Sequence, residues 1–168
     1  MIQFLKRLFM RYIIVSILIL ITLAGAKIKT LPVDSKNLTK YVTEAKKTLP
    51  YFLKAYSNPK YKKAYFLLKH KINSDDNSET THLWFIFLKK EGEYFYIKEF
   101  ELPEGYSKYK NKIVKIKEDE IEDWWVQDGG KLYGAFTIKY QIDKLKTQKE
   151  KDKLKAYMGI DEHMTTMP

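Results

Sequence analysis

The spacing of apolar side chains changes near residue 58, and this change constrains the fold more than any other feature of the chain. Before it, apolar residues recur at every third or fourth position, which is the period of one face of an amphipathic helix. Pro50 lies inside this stripe and has no backbone N–H, so we expect the helix to kink or restart near Thr48. The sequence Ser57-Asn58-Pro59 is expected to end it. The stripe consists of Leu38, Tyr41, Val42, Ala45, Leu49, Phe52, Leu53 and Tyr56.

Aromatic and β-branched runs separated by polar turns follow the helix and predict strands. Sequential hairpins imply antiparallel pairing, with the early helix packed on one face of the sheet. We therefore predict an α+β fold, in which an N-terminal amphipathic helix packs on a strongly curved antiparallel sheet of about five strands and a basic C-terminal helix follows in residues 141–157. Residues 118–130 are expected to hold an acidic turn before the last strand. The predicted strands are 63–72, 80–89, 93–102, 112–117 and 132–140.

Aromatic residues are abundant, with 13 Tyr, 9 Phe and 3 Trp, and they make both faces of the central strands apolar. A single helix covers only one face of a sheet. The other face is therefore expected either to curl on itself, as in a small barrel, or to present an aromatic surface to a partner.

The N-terminus has the pattern of a secretory signal peptide. Lys6, Arg7 and Arg11 precede an uncharged run of 15 residues, 12–26, which ends in Ala24-Gly25-Ala26. A bilayer span needs about 20 apolar residues, so we predict cleavage after Ala26, with retention as a membrane anchor as the alternative. The protein is then exported and lies in the periplasm or is anchored to the inner membrane facing it.

The sequence as a whole predicts that the chain has four parts. These are a signal peptide or anchor (1–26), a linker (27–34), an α+β domain (35–140), and a basic C-terminal helix and tail (141–168).

Charge and cysteine content restrict the kinds of partner and the kinds of site that this chain can have. The net charge is +10, and three of the 31 basic residues but none of the 21 acidic residues lie in the leader, which leaves +7 on the remainder. This charge favours a protein or an anionic envelope component as partner, whereas export argues against nucleic acid. Membrane contact is expected only through an uncleaved leader or the basic C-terminal helix.

The absence of cysteine excludes a thiol nucleophile and thiolate metal sites. No cofactor or metal is expected, because the His, Asp and Glu positions show no metal-ligand spacing.

Five short motifs occur in order between residues 45 and 137. In them the chain resembles the YegJ-like bacterial domains, a family of unknown function. The resemblance implies an α+β fold and an exported or membrane-attached protein. The family usually has Glu before the His of the third motif, where this chain has Thr81, so a Glu–His pair is not expected here. The matching residues are Ala45, Thr48, Leu49, Pro50 and Phe52, then Phe66 and Lys69, then His82 and Trp84, then Ile121, Asp123 and Trp124, and finally Gly134 and Thr137.

The polar, aromatic and glycine members of these motifs are the candidate ligand-binding residues, and each also has a structural interpretation. His82 and Trp84 share one strand face, so they either line a cleft or belong to the core, with Trp84 joining Phe52. Asp123 either orients His82 or caps a turn. The candidates are Lys69, His82, Trp84, Asp123, Trp124, Gly134 and Thr137.

The remaining candidates carry the same ambiguity. Lys69 either binds an anion or covers apolar surface with its stem. Gly134 either admits a ligand close to the backbone or marks a bulge. Thr137 is either a ligand contact or an ordinary strand residue. If a site exists, we expect His82, Asp123, Trp124 and Thr137 to converge on one edge of the sheet.

The sequence favours a non-catalytic binding module of the bacterial envelope with a protein or cell-wall ligand. No catalytic residue is assigned. One alternative is an immunity-type inhibitor that neutralises a toxin in the periplasm. The other is a hydrolase using His82 and Asp123, for which no nucleophile is visible.

Overall fold

A computed structural model describes residues 36–157 and 162–164. The leader and the linker, for which export and cleavage were predicted, lie outside these residues. Helix α1 (Lys36–Tyr56) is one continuous helix that contains Pro50, so the predicted restart near Thr48 is wrong. The predicted end is confirmed, because Asn58 then caps a short 3₁₀ turn that begins at Pro59.

Six antiparallel strands form the sheet, rather than about five, and a three-residue strand adds a parallel edge. The strand order is β4-β3-β2-β1-β5-β6-β7, and the first four predicted strands are confirmed. Within the described residues β4 and β7 are the two edges, so the sheet does not close into a barrel. The strands are β1 (Tyr65–Asn73), β2 (Thr80–Glu91), β3 (Tyr94–Glu99), β4 (Ile113–Lys117), β5 (Ile121–Asp128), β6 (Lys131–Gly134) and β7 (Glu162–Met164).

Strand β5 was not predicted, although it pairs with β1 and β6 in the middle of the sheet. Within the segment 118–130 the acidic turn is the 3₁₀ segment Glu118–Glu120, a second turn lies at residues 129–130, and β5 separates the two. Six of the eight residues of β5 are buried. A strand buried on both faces lacks the alternation of apolar and polar residues that identifies a strand in a sequence.

The predicted last strand, 132–140, is wrong beyond Gly134. Gly134 and Ala135 have φ of 70° and 50°, a left-handed conformation that turns the chain out of the sheet. Helix α2 (Phe136–Lys144) begins immediately after them, so Thr137 is a helical residue. A second helix, α3 (Gln148–Tyr157), follows. The basic segment 141–157 thus belongs to two helices, not one.

Each face of the sheet has its own apolar core. On one face Phe52 of α1 contacts Trp124 of β5, with 6.0 Å between ring centroids. On the other face Ile138 and Ile142 of α2 pack with Trp125, and the partly buried Trp84 joins this second core. Helix α2 therefore covers part of the second face. The prediction that Trp84 shares a core with Phe52 is wrong.

Candidate functional site

Asp123 is fully buried, and backbone and hydroxyl donors surround it. Its Oδ1 accepts hydrogen bonds from the N–H groups of Trp124 (2.8 Å) and Phe136 (3.2 Å). Its Oδ2 accepts from the N–H (2.7 Å) and the hydroxyl (2.8 Å) of Thr137. A carboxylate has about four lone-pair positions, so these four donors occupy its accepting capacity.

These bonds make Asp123 a cap for α2 that is supplied by another element. Ala135 occupies the N-cap position and has no side-chain oxygen to bind the first N–H groups of the helix. Asp123 binds the N–H groups of Phe136 and Thr137 instead, at the helix end where a negative charge is favourable. The geometry thus supports the structural interpretation of Asp123, because the carboxylate holds α2 against β5.

Lys69 extends this network across the sheet from β1. Its Nζ donates to Thr137 Oγ1 (3.1 Å) and lies 5.8 Å from the centroid of the Trp84 ring. Burial lowers the pKa of Lys69, although the negative charges of Asp123 and Glu122 act to raise it. Burial also raises the pKa of Asp123 to about 6, although the hydrogen bonds from Thr137 and the positive charge of Lys69 act to lower it. Desolvation therefore favours the neutral form of each group.

His82 pairs with Glu122 rather than with Asp123. Its Nδ1 lies 2.6 Å from Glu122 Oε2, and both side chains are partly buried. Glu122 reaches this position because the register of β1 against β5 shifts between Lys69 and His70. The chain therefore has a Glu–His pair despite Thr81, and its carboxylate comes from β5, which is separated from β2 by β1.

Trp124 and Gly134 belong to the α1 face. The Trp124 indole N–H lies within hydrogen-bonding distance of Ala45 O (3.0 Å) and Thr48 Oγ1 (3.1 Å). A Cβ on Gly134 would lie 2.4 Å from Trp124 Cε3, so the glycine makes room for this ring. Of the four residues expected to converge, Asp123 and Thr137 meet, but Trp124 lies on the opposite face. The predicted convergence of all four residues is therefore wrong.

A cleft of about 1100 Å³ opens beside this network and shares strands β1 and β5 with it. Three of the five exposed large apolar residues of the described chain line it, namely Tyr56, Tyr65 and Ile86. Tyr61 and Trp125, 2% and 5% exposed, also line it. The Tyr61 hydroxyl and Trp125 Nε1 are buried without a hydrogen-bond partner among the described residues.

Sequence reasoning missed Tyr61, Glu122 and Trp125. Neighbouring residues of a strand point to opposite faces, so recognition of β5 would have placed Trp125 away from Trp124. No comparable signal marks Tyr61, which lies in the 3₁₀ turn between α1 and β1.

No group of three or more His, Asp or Glu side chains within 36–157 and 162–164 is placed to hold a metal ion. No helix in those ranges has both the length and the apolar character of a membrane span.

Residues 35–162 match a family described as uncharacterized proteins conserved in bacteria (DUF2314), and the chain belongs to that family. The expectation of a bacterial domain of unknown function is thereby confirmed, while the likeness to YegJ-like domains remains a resemblance. No curated protein matches the chain. No solved structure matches it either.

Proposed function

We propose that this protein is a non-catalytic binding module of the bacterial envelope, and that its ligand occupies the cleft beside β1, β2 and β5. The ligand is a protein or a cell-wall component. The leader supports export to the periplasm or attachment to the inner membrane, because its basic start, apolar run and small-residue exit match a signal peptide.

The concentration of exposed apolar side chains in one cleft carries this proposal. Tyr56 is 43% exposed, Tyr65 38% and Ile86 37%, and all three line the same cavity. Apolar residues scattered singly over a surface need no explanation, but a group of them in a concave site marks a binding surface. The network around Asp123 supports the same conclusion, because its hydrogen bonds are already made within the protein.

A matched pair of substitutions tests the proposal. The full chain in lipid nanodiscs is offered two probes, a displayed library of random 12-residue peptides and soluble peptidoglycan fragments. Ile86→Lys places a charge in the cleft, whereas Ile113→Lys makes the same change on β4, at a residue 62% exposed and outside the cleft lining. We expect one probe to bind the wild type and the Ile113→Lys variant and to bind Ile86→Lys at least about tenfold more weakly, a loss of about 1.4 kcal/mol.

Two results would refute the binding module. One is that neither probe binds the wild type. The other is that Ile86→Lys and Ile113→Lys bind equally well while both keep the wild-type melting temperature.

A hydrolase is the second candidate, and the His82–Glu122 pair favours it. A carboxylate 2.6 Å from an imidazole nitrogen can orient the ring as a general base. Mass spectrometry of peptidoglycan fragments incubated with the protein tests this candidate. Cleavage products that disappear with both His82→Ala and Glu122→Gln would support the hydrolase and contradict the non-catalytic role.

A further inference from the structure

We infer that the cleft takes an uncharged, extended peptide segment of a partner protein, and that the indole N–H of Trp125 donates a hydrogen bond to a backbone carbonyl of that segment. This inference rests on the proposed binding function and specifies its ligand. It follows from the unpaired buried groups of the cleft, the charges on its wall, its size, and the way its tryptophan is packed.

The unpaired polar groups define what the ligand must offer. An indole N–H can only donate, and a tyrosine hydroxyl can donate or accept. Buried polar groups are nearly always hydrogen-bonded, and Trp125 Nε1 and the Tyr61 hydroxyl lack partners among the described residues. Trp125 therefore requires an acceptor from elsewhere, and Tyr61 requires an acceptor or a donor. Glu99 adds a buried Oε2 with no partner among those residues, while its Oε1 accepts from the Asn111 N–H at 2.8 Å. A peptide backbone supplies both acceptors and donors at regular intervals.

The charges of the wall favour a neutral ligand. Three lysines (Lys62, Lys98 and Lys110) and three glutamates (Glu99, Glu101 and Glu104) line the cleft. This balance differs from the excess of lysine over the chain as a whole. An anionic cell-wall polymer or lipid head group would meet as many carboxylates as ammonium groups here, so charge complementarity does not favour it.

The packing of Trp125 and the size of the cleft favour a peptide over a sugar as the ligand. Trp125 is 95% buried and contacts the Trp84 ring edge to face, with 5.3 Å between centroids. Its ring face is therefore not an open platform on which a sugar could stack, and the N–H is the group it can contribute. The cleft is slightly larger than the usual small-molecule pocket of about 300–1000 Å³, so it has room for several residues of an extended chain. Because Trp125 Nε1 is buried, a ligand reaches it only when the wall of the cleft shifts locally.

The experiment uses the same displayed peptide library and the full chain in lipid nanodiscs. We expect enriched peptides that carry no net charge and contain apolar side chains. The tightest peptide is then remade with one backbone amide at a time replaced by an ester, whose carbonyl is a weaker acceptor. One ester should weaken binding to the wild type by about 3- to 10-fold, the range of a single hydrogen bond.

Two variants identify the donor. Trp125→Phe removes the N–H and keeps an aromatic ring, so the sensitive ester should have no further effect on its affinity. Trp84→Phe is the matched control, because Trp84 touches the Trp125 ring but does not line the cleft. It should keep the wild-type ester pattern. Far-UV circular dichroism and melting temperatures establish that both variants are folded.

Several results would overturn the inference. Binding of peptidoglycan fragments without peptide enrichment would reject the peptide and leave the binding module standing, whereas failure of both probes would reject both. Enrichment of strongly charged peptides would contradict an uncharged segment. Enrichment of peptides that repeat a segment of this chain would contradict a partner protein and indicate a second copy of the chain. An ester effect that persists in Trp125→Phe would exclude Trp125 as the donor.

Discussion

Gly134→Ala should destabilise the protein far more than an equivalent change at Gly129. Both glycines have positive φ, 70° for Gly134 and 62° for Gly129, so alanine is strained at either position by about 1–2 kcal/mol. The surroundings differ. A Cβ at Gly129 meets no atom within 4 Å, whereas one at Gly134 would lie 2.4 Å from Trp124 Cε3 and 2.5 Å from Trp124 O.

Trp124 cannot easily move away from that Cβ. Its ring is fully buried, and its indole N–H is held by Ala45 and Thr48 of α1. Overpacking of this kind costs about 1–3 kcal/mol, which brings the expected loss for Gly134→Ala to about 2–5 kcal/mol. That is a large share of the roughly 5–15 kcal/mol that stabilises a typical domain.

Urea unfolding at pH 7, followed by tryptophan fluorescence, measures both variants. Gly129→Ala should lose about 1–2 kcal/mol, and the difference between the two variants isolates the contact with Trp124. If the free energies of unfolding agree within about 0.5 kcal/mol, the close approach does not constrain Gly134. The interpretation of this glycine as a packing residue would then be wrong, and its role as an opening for a ligand would gain support.

Three further predictions concern the buried network and the leader. Thr137→Val removes the hydroxyl that bonds both Asp123 and Lys69, so it should lower the free energy of unfolding by about 1–3 kcal/mol. Urea unfolding measures this loss, and an unchanged midpoint would contradict the network. The pKa of Asp123 rises on folding from 3.8 to about 6, so its contribution to stability is complete below pH 3.8 and is lost as the pH rises through 6. The wild type should therefore lose about 2 kcal/mol relative to Asp123→Asn between pH 4 and 7, and parallel urea curves across that range would refute the shift. N-terminal sequencing should find Lys27 first in the exported protein, whereas Met1 in the membrane fraction would indicate an uncleaved anchor.

Local features of the fold were predictable because local sequence encodes them. The stripe that ends at Tyr56 predicted α1, since side chains three and four positions apart share one face of any helix. The turn residues between β1, β2 and β3 predicted two hairpins, because polar and glycine-containing turns join adjacent antiparallel strands. The sequence also indicates Lys69, Asp123 and Thr137 as polar members of the motifs, and these three residues form one network.

Contacts between distant segments were decided by the tertiary structure. Lys69 meets Thr137 across 68 residues of sequence, and His82 meets Glu122 across 40. Both contacts depend on the strand order, which leaves no periodic signal in the sequence. Glu122 also lies where the register of β1 against β5 shifts, and that shift has no periodic signal either. Strand β5 could not be predicted from the sequence, because burial on both faces removes the alternation of apolar and polar residues. The acidic residues at its start also resemble a turn. Its register places Trp124 beneath α1 and Trp125 beside the cleft, so two adjacent residues that look alike in the sequence serve opposite faces of the sheet.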